Sequence, residues 1–207
     1  MGQLAAIHAL PTGALTGAGG PCSGDVDGRL ASHLADFDQA LARLSVQRPV
    51  VLSYVRVWLE QHVHDHEGRV ALVHGDFRLG NLVWNEQTIV GVLDWETARI
   101  GNPLFDVAWA CMGATDDDEK VMGLASRRDF VAAYATSVGG EIRDAELTFW
   151  QVAAAWVRGC TEARLLDLSM KSHAPSEREA RDLSWEFGSY RTEQELLHLI
   201  ETYQAER

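Results

Sequence analysis

Three short apolar runs, at residues 70–73, 81–84 and 88–93, interrupt a chain whose other hydrophobic residues recur mostly at helical spacing. Val70-Ala71-Leu72-Val73 is too short and too evenly apolar for an amphipathic helix, and it suits a buried strand. Asn85-Glu86-Gln87, between the second and third runs, is a polar connection of hairpin size. Polar residues stand at the mouths of all three runs, where a rigid element can hold a loop in place.

The flanking segments are predicted to be helical. Residues 3–10 read as a short helix, and the glycine- and proline-bearing stretch 11–24 as a loop. Leu30, Leu34, Phe37, Leu41 and Leu44 recur in steps of three and four, the mark of a helix with one buried face. A second helix is expected from Pro49 to about His66, with the proline in its first turn. After Pro103 the helical pattern returns at 104–112. Ser126-Arg127-Arg128-Asp129 then has the form of a capping box, with Asp in place of Glu or Gln, and Gly139-Gly140 ends the helix it opens. A long apolar segment at 147–168 and an amphipathic one from Glu177 to about Tyr203 complete the chain. The expected fold is α+β, mainly α, with a small central strand and hairpin cluster in a single domain over residues 1–207.

With 207 residues, 46% of them hydrophobic, the chain can bury a substantial core. Its net charge of −12 opposes a phosphate backbone or an anionic membrane surface, which argues against a nucleic-acid or membrane partner. An acidic body can favour a cationic small substrate. Cys22, Cys111 and Cys160 are far apart, odd in number and lack a C-x-x-C pair, so reduced thiols in a cytoplasmic protein are expected. The first ten residues lack a basic n-region and an apolar core, and eighteen apolar residues nowhere run together.

The chemistry concentrates between Val73 and Asp106, which reads VHGDFRLGNLVWNEQTIVGVLDWETARIGNPLFD. Asp76 is followed five residues on by Asn81, the D-x-x-x-x-N spacing of a kinase catalytic loop, and Asp94 closes the next strand. Phosphoryl transfer demands positioned charge more than covalent chemistry. One carboxylate orients the acceptor hydroxyl and takes its proton, while a second carboxylate and an amide oxygen hold Mg²⁺ against the nucleotide phosphates. Arg78 is open to two readings, a substrate or phosphate contact and a solvated side chain. Glu96 is equally divided between assisting the metal or loop and facing solvent. His62, His64 and His66 are expected on a solvated face, because only His62 and His66 share a helix face and no third ligand is evident. Asp116-Asp117-Asp118-Glu119 reads as a solvated charge run, and Trp150, Trp156 and Trp185 as core residues of apolar helices.

HGDFRLGN, VLDWE and GNPLFDVAW together closely resemble the aminoglycoside phosphotransferase family, a branch of the protein-kinase-like fold, and LAAIHAL resembles the helix that follows the hinge after the N-terminal lobe. The form Phe77-Arg78-Leu79 is similar to the subgroup of phosphotransferases related to domains fused to acyl-CoA dehydrogenases. The resemblance implies a C-terminal kinase lobe using ATP and Mg²⁺ to phosphorylate a hydroxyl of a small molecule. It implies Asp76 as catalytic base, Asn81 and Asp94 as metal and nucleotide ligands, and His74 as a brace for the loop. Asp106 would receive backbone donors from the same loop. A complete kinase of this kind also needs a glycine-rich loop and a strand lysine. The chain offers only Lys120 and Lys171, both beyond the catalytic loop, which leaves two readings, a piece of a longer parent chain with an N-terminal lobe, favoured here, and a natural lone lobe. Weak turnover and some self-association are expected of the lobe alone. Two other classes compete: a non-catalytic nucleotide- or partner-binding module, and a metal-dependent phosphohydrolase built on His74 and Asp76, for which the dense ligand set is not visible.

Overall fold

The computed structural model describes residues 2–14, 30–44, 50–66, 68–86, 88–114, 116–171 and 177–207. The predicted loop at 11–24 lies outside them from residue 15 onward, as do Cys22, Pro49, Gln87 and the side chain of Trp185. The chain divides into two compact units, Met1–Arg29 with Glu67–Gln151 and Leu30–His66 with Val152–Arg207.

The first unit carries the strands. Helix α1 (Gly2–His8) packs on strand β1 (Ala71–Val73), whose three residues are all buried. β1 pairs antiparallel with β4 (Arg99–Gly101), Leu72 standing opposite Ile100. These two side chains form a small core with Ile7, Trp95 and Ala98. Between them β2 (Leu82–Asn85) and β3 (Thr88–Val92) make the predicted hairpin, with an irregularity between Val83 and Trp84. The second predicted run starts one residue late, because Leu79–Asn81 coils into a 3-10 turn first. Helix α4 (Leu104–Ala110) follows β4, and Asn102 Oδ1 accepts the N–H of Leu104 at its start.

A two-residue hairpin, β5 (Lys120–Val121) with β6 (Ala125–Ser126), precedes α5 (Arg127–Val138). Three free N–H groups at the start of α5 find acceptors: Arg127 on Glu119 O, Arg128 on Asp117 O, and Asp129 on Ser126 Oγ at 3.1 Å. The last is the side-chain bond expected of the capping box. Gly139, in the left-handed region at φ 73°, ends the helix as expected. The acidic run before it is exposed, and Asp117 pairs with both Arg127 and Arg128.

The second unit contains α2 (Leu30–Leu41), α3 (Val50–His62) and α7 (Glu177–Glu206), together with most of α6 (Asp144–Lys171). Trp156 is fully buried, donates Nε1–H to Leu52 O at 2.8 Å and meets Phe37 edge-on. Trp150, in the first unit, is buried as well. The histidine triplet departs from expectation. His62 stacks on Trp58 with ring centroids 4.3 Å apart, and His66 is buried with Nε2 2.8 Å from the Tyr203 hydroxyl. Only His64 of the three is exposed. Helical spacing could not anticipate this, because the aromatic partner Tyr203 lies 137 residues further on. No helix among the described residues is long and apolar enough to cross a membrane.

Candidate active site

The loop between β1 and the 3-10 turn at Leu79–Asn81 is held from both sides by its own histidine. His74 is fully buried, its Nε2 lies 2.8 Å from Leu93 O and its Nδ1 lies 3.2 Å from the N–H of Asp76. A carbonyl can only accept and an amide N–H can only donate, so the ring carries its hydrogen on Nε2 and accepts at Nδ1. Leu93, in turn, donates its N–H to Asn81 O at 2.8 Å. The residue immediately before Asp94 is thereby tied to both ends of the loop that carries Asp76 and Asn81.

Asp76 receives three different side chains. Trp109 Nε1 donates to Oδ1 at 2.9 Å, Asn81 Nδ2 donates to Oδ2 at 2.8 Å, and Arg78 Nε lies 2.9 Å from Oδ2 and 3.1 Å from Oδ1. Asn81 Nδ2 also donates to Asp76 O at 2.9 Å. Both hydrogens of the Asn81 amide are therefore spent on Asp76, which fixes the amide's orientation and leaves Oδ1 as its one side-chain acceptor. Arg78 is exposed and lies against the Asp76 carboxylate.

Asp94 adopts the left-handed conformation, φ 65° and ψ 63°, which Asp tolerates better than most residues. It opens the 3-10 turn Trp95–Thr97, which also contains the exposed Glu96. Trp95 anchors this turn: its Nε1–H reaches Val92 O at 2.8 Å and its ring meets that of His74 at 4.6 Å. The Asp94 carboxylate is exposed and has no protein partner among the described residues.

Beneath the loop, Asp106 is completely buried on α4. Its Oδ2 accepts the N–H of His74 at 2.7 Å and its Oδ1 the N–H of Gly75 at 2.8 Å. His8 Nε2 stands 3.1 Å from the same Oδ2, and His8 Nδ1 lies 2.7 Å from the Tyr134 hydroxyl. The Arg99 guanidinium rests over the Phe105 ring, and burial draws its pKa below the ordinary arginine value against the opposing pull of Asp106. Burial pushes the Tyr134 hydroxyl up to about 12, partly countered by Arg69 and reinforced by Asp106.

Trp109, His8 and Tyr134 escaped the sequence reading. Trp109 ends the quoted GNPLFDVAW and His8 lies in LAAIHAL, so both had a signal in the motif; Tyr134, on an ordinary amphipathic helix, had none. Among the described residues no group of three or more His, Cys, Asp or Glu side chains is arranged to hold a metal ion.

An Acyl-CoA dehydrogenase family member 10 of Mus musculus is 32% identical over 96 residues, 40% of this chain and 9% of the mouse protein. An Acyl-CoA dehydrogenase family member 11 of Homo sapiens is 45% identical over 53 residues, 25% of this chain and 7% of the human protein. The chain thus spans less than a tenth of these relatives. A Ralstonia eutropha crystal structure provisionally designated an aminoglycoside phosphotransferase superposes with a TM-score of 0.74 at 19% identity, covering 97% of this chain and 63% of that one. A choline/ethanolamine kinase family protein of Mesorhizobium loti gives 0.64 at 15% identity, covering 97% and 60%. The lobe therefore has the kinase-like fold of these phosphotransferases. The model of the phosphotransferase enzyme family, APH, matches residues 2–147, from α1 through the whole loop assembly into α6, and the chain belongs to that family.

Proposed function

We propose that this chain is the catalytic lobe of an ATP-dependent phosphotransferase acting on a hydroxyl of a small molecule, with Asp76 as the base and Asn81 and Asp94 facing Mg²⁺. The observation that carries this reading is the orientation of Asn81. With both amide hydrogens on Asp76, its oxygen is the group left for a cation, and the exposed Asp94 carboxylate is held beside the same loop through Leu93. Two oxygen ligands fit Mg²⁺, which commonly takes one or two protein groups and fills its octahedron with water and phosphate oxygens. When bound with ATP, the ion would neutralise charge on the transferring phosphoryl group.

The protein's own residues do the remainder. Trp109 and Asn81 each hold one oxygen of the Asp76 carboxylate, so its free lone pairs point in a fixed direction. An acceptor hydroxyl can approach there, sharing or displacing the exposed Arg78, and pass its proton to Asp76 as the phosphoryl group arrives. His74 keeps the loop and the Asp94 turn in register. Family membership supports the reaction class, and choline and ethanolamine, in the names of the fold neighbours, both carry a hydroxyl. A further lobe from a longer parent chain would complete the nucleotide clamp, a role consistent with the much greater length of the curated relatives.

Calorimetric titration of the chain with ATP, with and without Mg²⁺ and repeated on Asp94→Asn, tests the reading. Binding that requires Mg²⁺ and weakens about tenfold or more in the variant is expected from the loss of a charged ligand. Heat that is identical with and without Mg²⁺, or unchanged in Asp94→Asn, would remove the metal assignment. Absence of binding under every condition would favour the non-catalytic module.

A further inference from the structure

We propose that His8 and Tyr134 are positioning residues of this site: a buried relay, Tyr134 to His8 to Asp106, that sets the backbone of His74 and Gly75 and so aims Asp76. The proposal rests on the reading of Asp76 as the acceptor-orienting carboxylate. It draws together α1, α4, α5 and the loop after β1, all within the first compact unit.

The order of the relay follows from what each atom can do. Asp106 is buried with three donors on its carboxylate, the N–H groups of His74 and Gly75 and the ring of His8. A carboxylate accepts only, so His8 carries a hydrogen on Nε2 and gives it to Oδ2. Nδ1 of the same ring is then the acceptor for the Tyr134 O–H, 2.7 Å away. Tyr134 thereby selects the His8 tautomer, as the orienting partner of a histidine does elsewhere. His8 and Tyr134 are 2% and 1% exposed, so water cannot replace either member. His8 is itself clamped: it is the last residue of α1, and Arg69 donates Nη2–H to its carbonyl at 2.8 Å.

The relay ends on the backbone of the two residues directly before Asp76. Gly75 sits there at φ 86°, a conformation open to a residue without a Cβ, and the two bonds to Asp106 select it from the many that glycine can adopt. Without the His8 donor, the Asp106 carboxylate keeps its burial and loses one of three bonds, and it can rotate away from the two amides it holds. Tyr134 acts only through His8, so its contribution should vanish when His8 is gone.

Amide hydrogen exchange on the ¹⁵N-labelled chain, free of nucleotide, measures this directly. The variants are His8→Leu, His8→Gln, Tyr134→Phe and the double variant His8→Leu/Tyr134→Phe. Exchange at the His74 and Gly75 amides should rise about tenfold or more in His8→Leu, measured against the amides of residues 153–156 in the second unit. His8→Gln should stay within about threefold of the parent, because the glutamine N–H can replace Nε2–H toward Asp106. Tyr134→Phe should show an intermediate rise, and the double variant should exchange no faster than His8→Leu. Should His8→Leu fail to fold, Tyr134→Phe and His8→Gln carry the comparison. Unchanged loop amides in Tyr134→Phe and His8→Leu, a glutamine as damaging as leucine, or additive effects in the double variant would each overturn the relay. The measurement needs no turnover, so a chain whose loop amides respond but which never binds Mg-ATP would sink the kinase reading and leave the relay standing.

Discussion

Gly75 is the residue on which the geometry of the loop is most sharply conditioned. A Cβ placed there would lie 2.6 Å from Thr97 O and 2.8 Å from both Thr97 Oγ1 and Arg99 Nη1, and the backbone is in the left-handed region. The oxygen of Thr97 is main chain and cannot swing aside, and Thr97 Oγ1 is already committed to His74 O at 3.0 Å. Gly75→Ala is therefore expected to destabilise the first unit by about 2 kcal/mol or more, from left-handed strain and the clash together. Urea denaturation followed by tryptophan fluorescence reads this as a lower midpoint. A midpoint within experimental error of the parent would show that the loop relaxes around the methyl group and that its shape is not set by this residue. Asp94 is the contrasting case: it also has positive φ, but an exposed Asp bears that conformation at little expense, so Asp94→Asn should alter ligand binding with little change in stability.

At the scale of elements, the helices and the β2–β3 hairpin were legible because periodicity and turn chemistry are local. Ser126 and Gly139 marked the ends of α5, and the structure uses both. Ser126→Ala should lower stability by about 1 kcal/mol, the usual cost of removing an N-cap hydroxyl. An unchanged thermal midpoint would mean that the Glu119 and Asp117 carbonyls, which take the neighbouring N–H groups, suffice as the cap. Strand β4 was not legible. Arg99-Ile100-Gly101 has one apolar residue in three and becomes a strand only because β1, twenty-eight residues earlier, offers it an edge. β5 and β6 pair only with each other and escaped notice because two residues apiece are too short to show alternation, whereas the burial of His66 depends on Tyr203, far along the chain. In the site, Asp76, Asn81, Asp94, His74 and Asp106 stood out by spacing and family resemblance. The tertiary partners did not: Trp109 and His8 lie inside the motif fragments but nothing local tells a tryptophan that donates to a carboxylate from one that fills a core, and Tyr134 lies outside them. Their identification required the hydrogen bonds themselves.

For the whole molecule, burial of weak acids in the first unit gives stability a defined dependence on alkaline pH. Cys111 is fully buried at the end of α4, and its thiol is pushed from an ordinary value of 9.0 up to about 12 by burial, partly offset by Arg127. Tyr134 moves in the same direction, from 10.0 to about 12. In both cases the folded pKa lies above the unfolded one, so in the window between them the unfolded chain has released protons that the folded chain retains. Stability from these two groups is then intact below about pH 9 and is lost as pH rises toward 12. The denaturant midpoint of the chain should fall across that interval. Cys111→Ala and Tyr134→Phe each remove one titrating group, so each should flatten the decline even if it lowers the midpoint at pH 7, which separates linkage from packing. Lysines and arginines titrate in parent and variants alike and cancel in the comparison of slopes. Parallel curves for parent and variants would show that neither proton is differentially held, and that the thiol and the hydroxyl reach water more readily than their burial allows.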